Sequence, residues 1–261
     1  MRDGQADRTS KWQPQPASPE ELQAIAAITA TGRAIHRQDQ FVWHASDAFT
    51  TALDGRSVPR VSYAVTGRDG LVRVSFLGED HGHWRVLGDV DMSHSAPVAV
   101  LDPAREPDAE ELRQVRARAT ALEAAPNVCG GTRNTVVLPA EGGTMDVYVL
   151  SATDDPHIVP LGGHARVRVS ADGGTMLAFE PYSKACLDFD TGRKMPDGGE
   201  LKALMATIVL SDLPAPTHVY TSLTYPWPIM LASETHLWKV ADGRITIVDP
   251  AQNGGADRPD M

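Results

Sequence analysis

The sequence predicts an α+β protein whose antiparallel sheets are built from hairpins, with helices packed on one face. Two observations carry this. After each helical pattern the apolar period changes to two, and the alternating blocks fold back at glycine-containing steps, among them Asp69-Gly70, Asp172-Gly173 and Asp242-Gly243. A strand-helix-strand alternation, the signature of a parallel sheet, is not the pattern. The 261 residues, 42% of them hydrophobic, suffice for two subdomains with a core.

The first helix starts at a capping box, Ser18-Pro19-Glu20-Glu21, with Pro at the first helical position. Leu22, Ile25, Ile28 and Ile35 form its apolar stripe, and a short helical piece follows at Ser46 to Leu53. Val61, Tyr63 and Val65 then alternate, as do Val72, Val74 and Phe76 beyond the Asp69-Gly70 step. The second helix starts at Asp108 with Glu111 three residues on, carries Leu112, Val115, Ala119 and Leu122, and ends before Pro126. Further hairpins join Thr135–Leu138 to Met145–Leu150 through Glu141-Gly142-Gly143, Ala165–Val169 to Met176–Glu180, and Leu237–Val240 to Ile245–Val248. A third helix is expected from Gly199 to Ser211, with Leu201, Leu204, Met205 and Ile208 inward. The domain reading is a disordered arm over 1–17, helix-plus-sheet subdomains over 18–102 and 103–248, and a disordered tail over 249–261. The expected core comprises Ile25, Ile28, Val72, Val74, Leu112, Val115, Val147, Val149, Val167, Val169, Leu204, Ile208, Trp238 and Ile247.

Lys plus Arg is 24 and Asp plus Glu is 34, a net charge of −10. That balance argues against nucleic acid and anionic lipid as partners and favours a basic protein partner through steering. No apolar run reaches the ~20 residues of a membrane span. Met1 to Arg8 lacks the apolar stretch of a secretory leader, so the expected compartment is the cytoplasm, the alternative being periplasmic or secreted if a leader was removed. Cys129 and Cys186 have no zinc-finger spacing. Without a leader they are expected as free thiols; a bridge would require Cα atoms within ~4.4–6.8 Å.

The sequence has no GxSxG, Walker A, GxGxxG or HExxH motif. No cofactor is implied. The densest ligand-type cluster is Glu79-Asp80-His81-Gly82-His83, followed by Asp89, Asp91 and His94. A His-x-His step on an extended segment puts both rings on one face, as a divalent metal needs; the bland reading is a polar hairpin tip. In the strand 164–170, His164, Arg166 and Arg168 share a face, and two guanidiniums there suit a carboxylate or phosphate. Pairing with Asp and Glu on an exposed sheet is the alternative. His218, Tyr220 and Ser222 fall on one side of an extended segment, where hydrogen-bonded burial is the commoner outcome than a catalytic set. Tyr225-Pro226-Trp227-Pro228 is either a recognition tip or a corner plugging one end of a sheet.

Several segments read together: Gln38 to Asp47, Asn134 to Pro139, Val147 to Leu150, Pro160 to Gly173, Cys186, Pro216 to Tyr220 and His236 to Val240. Over about residues 37 to 248 the chain resembles uncharacterised proteins of proteobacterial genomes. The resemblance implies no activity, so no catalytic residue or cofactor transfers with it, and such proteins often begin with an export leader. The expected function is a non-catalytic binding or protein-interaction protein of a bacterium, acting through His164, Arg166, Arg168, Tyr225 and Trp227. The alternative is a metal-dependent hydrolase using His81 and His83 with Asp89, Asp91 or His94.

Overall fold

The computed structural model describes residues 14–58, 61–68, 71–94, 96–193 and 199–248. The Asp69-Gly70 step, residues 1–13 of the expected arm and the tail 249–261 lie outside the described residues. The fold is α+β, dominated by antiparallel sheets arranged along one long helix.

That helix, α1 (Pro19–Leu53), is 35 residues long, about 52 Å at 1.5 Å per residue. It starts where the capping box places it: Glu21 N donates to the Ser18 hydroxyl, and Ser18 N donates to the Glu21 carboxylate. The piece expected at 46–53 is the end of this same helix. Its apolar face serves three cores in succession. Ile25 packs with Leu204, Val219, Ile229, Leu231 and Trp238. Ile35 packs with Val136, Tyr148, Leu150 and Tyr220. Ala45 and Phe49 pack with Val74, Phe76, Leu87 and Val90, the two Phe rings stacked 4.3 Å apart. Leu22, expected on this stripe, is instead exposed.

The first sheet is β1 (Val61–Arg68), β2 (Leu71–Asp80), β3 (His83–Asp91) and β4 (Ala99–Leu101), in that order and antiparallel. Helix α2 (Ala109–Ala124) follows, capped reciprocally by Asp108 and Glu111. The second sheet has the order β5 (Arg133–Pro139), β6 (Met145–Ser151), β8 (Ala165–Val169), β9 (Met176–Pro181). β7 (Ile158–Pro160) pairs apart from it with β10 (Asp188–Asp190). Helices cover both faces of the second sheet, not one. Val137, Val147, Val149, Val167 and Val169 face Ala117 and Ala121 of α2, while Val136, Tyr148 and Leu150 face α1. The cause is visible in β6, where successive residues are apolar rather than alternating, the pattern of a strand buried on both sides.

The third sheet, β11 (Leu204–Thr207), β12 (Ile229–Ala232), β13 (Leu237–Ala241) and β14 (Arg244–Ile247), corrects two expectations. Residues 199–211 form no helix. Leu204 is buried and Met205 is exposed, the alternation of a strand, and β11 pairs parallel with β12. The helix lies further on, as α3 (Pro216–Thr224), with Pro at its first position as in α1. It supplies the crossover that a parallel pair requires. Of the expected core, Ile28, Val72, Leu112, Ile208 and Ile247 are half-buried and the rest are buried. Residues at the end of the expected arm are seated. Gln15 N donates to the Thr235 carbonyl at 2.8 Å, and the His236 ring sits between the Gln15 carbonyl at 2.9 Å and Glu21 Oε1 at 3.0 Å.

Polar groups join α2 to both neighbouring sheets. Buried Arg118 donates from Nε to the Tyr63 carbonyl and from Nη1 to the carbonyl and hydroxyl of Thr135, with its guanidinium 3.7 Å from the Tyr63 ring centroid. Arg105, just past the expected subdomain boundary at residues 102 and 103, forks onto Asp89 of β3 and Glu111 of α2 and also reaches the Ser75 hydroxyl. Glu111 is fully buried. Burial works to raise its pKa, but hydrogen bonds from Arg105, Ser75 and Asp108 N hold it down at about 2.

Cys129 and Cys186 are bridged, with Cα atoms 4.9 Å apart, so they are not the free thiols expected. The bridge ties the loop after α2 to the segment after β9. Gly163 runs against it with φ +78°, and a Cβ there would lie 2.7 Å from Cys129 Sγ and 2.4 Å from Ser151 Oγ.

Gly32 lets α1 cross α3. A Cβ at this position would sit 2.5 Å from both the Pro216 carbonyl oxygen and Val219 Cβ. On an open helix Gly→Ala is favourable by ~1 kcal/mol. Here Gly32→Ala is expected to destabilise by about 1–3 kcal/mol through overpacking. A denaturant midpoint equal to or above that of the wild type would contradict this close crossing.

Candidate functional site: the open flank of helix α1

The residues singled out from the sequence go to different places. His81 occupies the turn between β2 and β3 with φ 48°, followed by Gly82 at φ 83°. Its ring lies exposed beside Asp80 at 3.6 Å. His83 opens β3, so the pair does not lie on one extended segment. Asp89 is six strand residues further along, roughly 20 Å, and is held by Arg105. Asp91 accepts from Ser93 N, and its carboxylate lies 3.7 Å from His94. The geometry therefore brings no metal shell together from His81, His83, Asp89, Asp91 and His94. Among the described residues the one group of three convergent donors is Cys129, Cys186 and Asp188. Its sulfurs are bonded to one another and are not thiolates.

Arg166 and Arg168 do share a face, but both are engaged. Arg168 makes a bidentate pair with Asp146, at 2.8 and 2.9 Å. Arg166 bonds Glu180 at 2.5 Å. His164 is buried away from them. Its Nδ1 accepts from Ser151 N, its Nε2 lies 3.2 Å from the Pro160 carbonyl, and burial lowers its pKa to about 4. Tyr225 and Trp227 are half-buried against the core under the third sheet, so this turn is a corner plug. His218, Tyr220 and Ser222 sit on helix α3 rather than on a strand. His218 Nδ1 accepts from Ala215 N, and the Ser222 hydroxyl donates to the Val219 carbonyl, so neither serves the other.

The structure instead exposes a polar ridge on α1. Arg33, His36, Arg37, Gln40 and His44 recur at helical spacing, on a different side from Ile35, Ala45 and Phe49. A cleft of about 660 Å³ opens along this ridge. The β3–β4 loop forms one wall with Met92, His94 and Pro97. Leu223 of α3 and Asp242 in the β13–β14 turn form the other. Arg33 Nε donates to the Gly243 carbonyl at 3.0 Å, which aims the side chain along the wall. Arg37 makes no ion pair or hydrogen bond with another described residue. Burial lowers the His36 pKa against a hydrogen bond to the Leu223 backbone.

A second cleft, of about 560 Å³, shares His36, Gln40 and Leu223 with the first and adds Asp39, Trp43, Tyr63 and Asn134. Burial raises the Asp39 pKa, opposed by the Tyr220 hydroxyl, which donates to it at 3.2 Å. Both volumes fall in the range of small-molecule sites, ~300–1,000 Å³. The ridge was readable in the sequence as polar residues at helical spacing, but a solvated helix face has the same signature. Only the loop and turn from distant parts of the chain make it a cleft. The chain matches no protein-family model, no curated protein and no solved structure.

Proposed function

We propose that this chain is a non-catalytic binding protein of a bacterium, working through the open flank of α1. The observation that carries the reading is the contrast in how its cations are used. Arg105, Arg166 and Arg168 are bonded to carboxylates, whereas Arg37 has no such partner among the described residues and stands beside Arg33 in a cleft of ligand size. Unengaged charge in a concave, partly apolar site is the common composition of a recognition site. The Ser222 and His218 environments favour structure over nucleophilic chemistry. The Cys129–Cys186 bridge supports a periplasmic or secreted setting, since reducing compartments seldom sustain one. No described helix is long and apolar enough to cross a membrane. A basic protein partner, favoured by the charge of −10, belongs to the same reading.

The test is affinity capture from an extract of the native host with the tagged full chain, analysed by mass spectrometry, beside a broad hydrolase screen. A specific bound species without turnover is expected. Turnover above background, or an eluate holding no specific species, contradicts the reading.

A further inference from the structure

We propose that the cleft over Arg33 and Arg37 is the binding site for a small organic anion, one carboxylate or phosphate group carried on an apolar body. This rests on the binding reading above and specifies its ligand. Arg33 and Arg37 are four residues apart on α1 and therefore neighbours on one helix face, about 5–6 Å between their Cβ atoms. Both line the cleft. With its Nε spent on the Gly243 carbonyl, Arg33 keeps its terminal amino groups for a ligand. Two adjacent guanidiniums grip a carboxylate or phosphate through forked, charge-assisted hydrogen bonds. Three imidazoles, His36, His44 and His94, line the same space against one carboxylate, Asp242.

With two guanidiniums against one carboxylate the site is cationic on a protein of net charge −10, the imidazoles adding hydrogen-bonding groups rather than fixed charge, a reversal of sign that general solubility does not require. Phe41, Met92, Pro97 and Leu223 supply apolar wall, which a bare inorganic ion would leave unused. The cleft's size suits a small molecule rather than a polymer backbone, and a polyanion is further disfavoured by the chain's net charge of −10.

Isothermal titration of the full chain with phenyl phosphate, benzoate and the neutral isostere benzamide tests this. The expected result is binding of at least one of the two anions, weakened by raised salt, and none of benzamide. Which anion binds more tightly decides between phosphate and carboxylate. Arg37→Gln is expected to weaken binding at least tenfold, and the Arg33→Gln/Arg37→Gln double variant to abolish it. Lys239→Gln, on β13 and absent from the cleft lining, is expected to leave it unchanged. Arg37 is exposed and makes no hydrogen bond or ion pair with another described residue, so its variant stays informative if Arg33→Gln proves unstable. No binding of either anion, equal binding of benzamide, or full affinity in Arg37→Gln overturns the inference. If native capture persists undiminished with the Arg37→Gln protein, the anion site fails while the broader binding reading stands.

Discussion

The Cys129→Ser/Cys186→Ser double variant is expected to lose about 4 kcal/mol of stability. The bridge joins residues 57 apart, and the chain entropy that such a loop removes from the unfolded state amounts to ~4 kcal/mol. The loss falls where few other contacts hold. β9 is an edge strand with every residue exposed, and among the described residues the one sheet strand bonded to it is β8. Its continuation through Cys186 is tied back by the disulfide and by the bonds that Leu161 N and Gly162 N donate to the Leu187 carbonyl. Urea unfolding of the wild type, the wild type with reductant and the double variant checks this. The latter two should share a midpoint well below the first. Coincidence of all three would show that the bridge does not constrain the fold.

Arg105→Ala is expected to cost about 3–5 kcal/mol at neutral pH, the cost of taking its main partner from a buried charge. Glu111 has no exposed surface, and Arg105 donates to both of its carboxylate oxygens, at 2.8 and 2.7 Å. Arg73 reaches Glu111 Oε1 at 3.3 Å but does not replace that fork. The effect has a defined pH dependence. In the wild type the Glu111 pKa is lowered from 4.5 to about 2, so its contribution is fully present above pH 4.5 and is lost as pH falls toward 2. In the variant the carboxyl loses the Arg105 bonds that lower its pKa while burial still raises it, so its pKa is higher than in the wild type and protonation relieves the penalty as pH falls. Both effects narrow the gap at low pH. Thermal unfolding of the two proteins between pH 3 and 7 should therefore show curves that converge on the acid side. A constant difference across that range would mean that Arg105 acts through packing and not through its charge.

The legible parts of this fold are those set by neighbours in sequence. Ser18 with Glu21 and Asp108 with Glu111 are boxes closed within four residues, and both helices begin where the boxes stand. The hairpins at Asp172-Gly173 and Asp242-Gly243 turn where a left-handed conformation is available, and Gly173 and Gly243 have φ of +77° and +69°. The stretch 199–211 misleads because Leu201, Leu204, Met205 and Ile208 fit a helical stripe. Its strand is settled by pairing with Ile229–Ala232, more than twenty residues away, and such context overrides local propensity. Helix α1 illustrates a second limit. Its apolar positions were visible, but not that Ile25, Ile35 and Phe49 belong to three different cores.

The candidate site divides in the same way. That Arg166 and Arg168 share a strand face follows from a period of two, but their pairing with Asp146 and Glu180 depends on strand register. His81-Gly82-His83 reads as a chelating pair only if the segment is extended. The Gly between the histidines is instead part of a turn, at φ 83°, so the two do not lie on one extended segment. The α1 ridge becomes a cleft through Met92, Leu223 and Asp242, residues 48 to 209 positions away from Arg33 or His44 in the chain.

The central claim is that the flank of α1 holds a ligand. Native mass spectrometry of the protein isolated undenatured from its own host tests it most directly. The predicted result is a bound small acid that acid denaturation releases and that is missing from the Arg33→Gln/Arg37→Gln protein prepared in the same way. A wild-type protein at its bare polypeptide mass, or the same bound mass on both proteins, would contradict it.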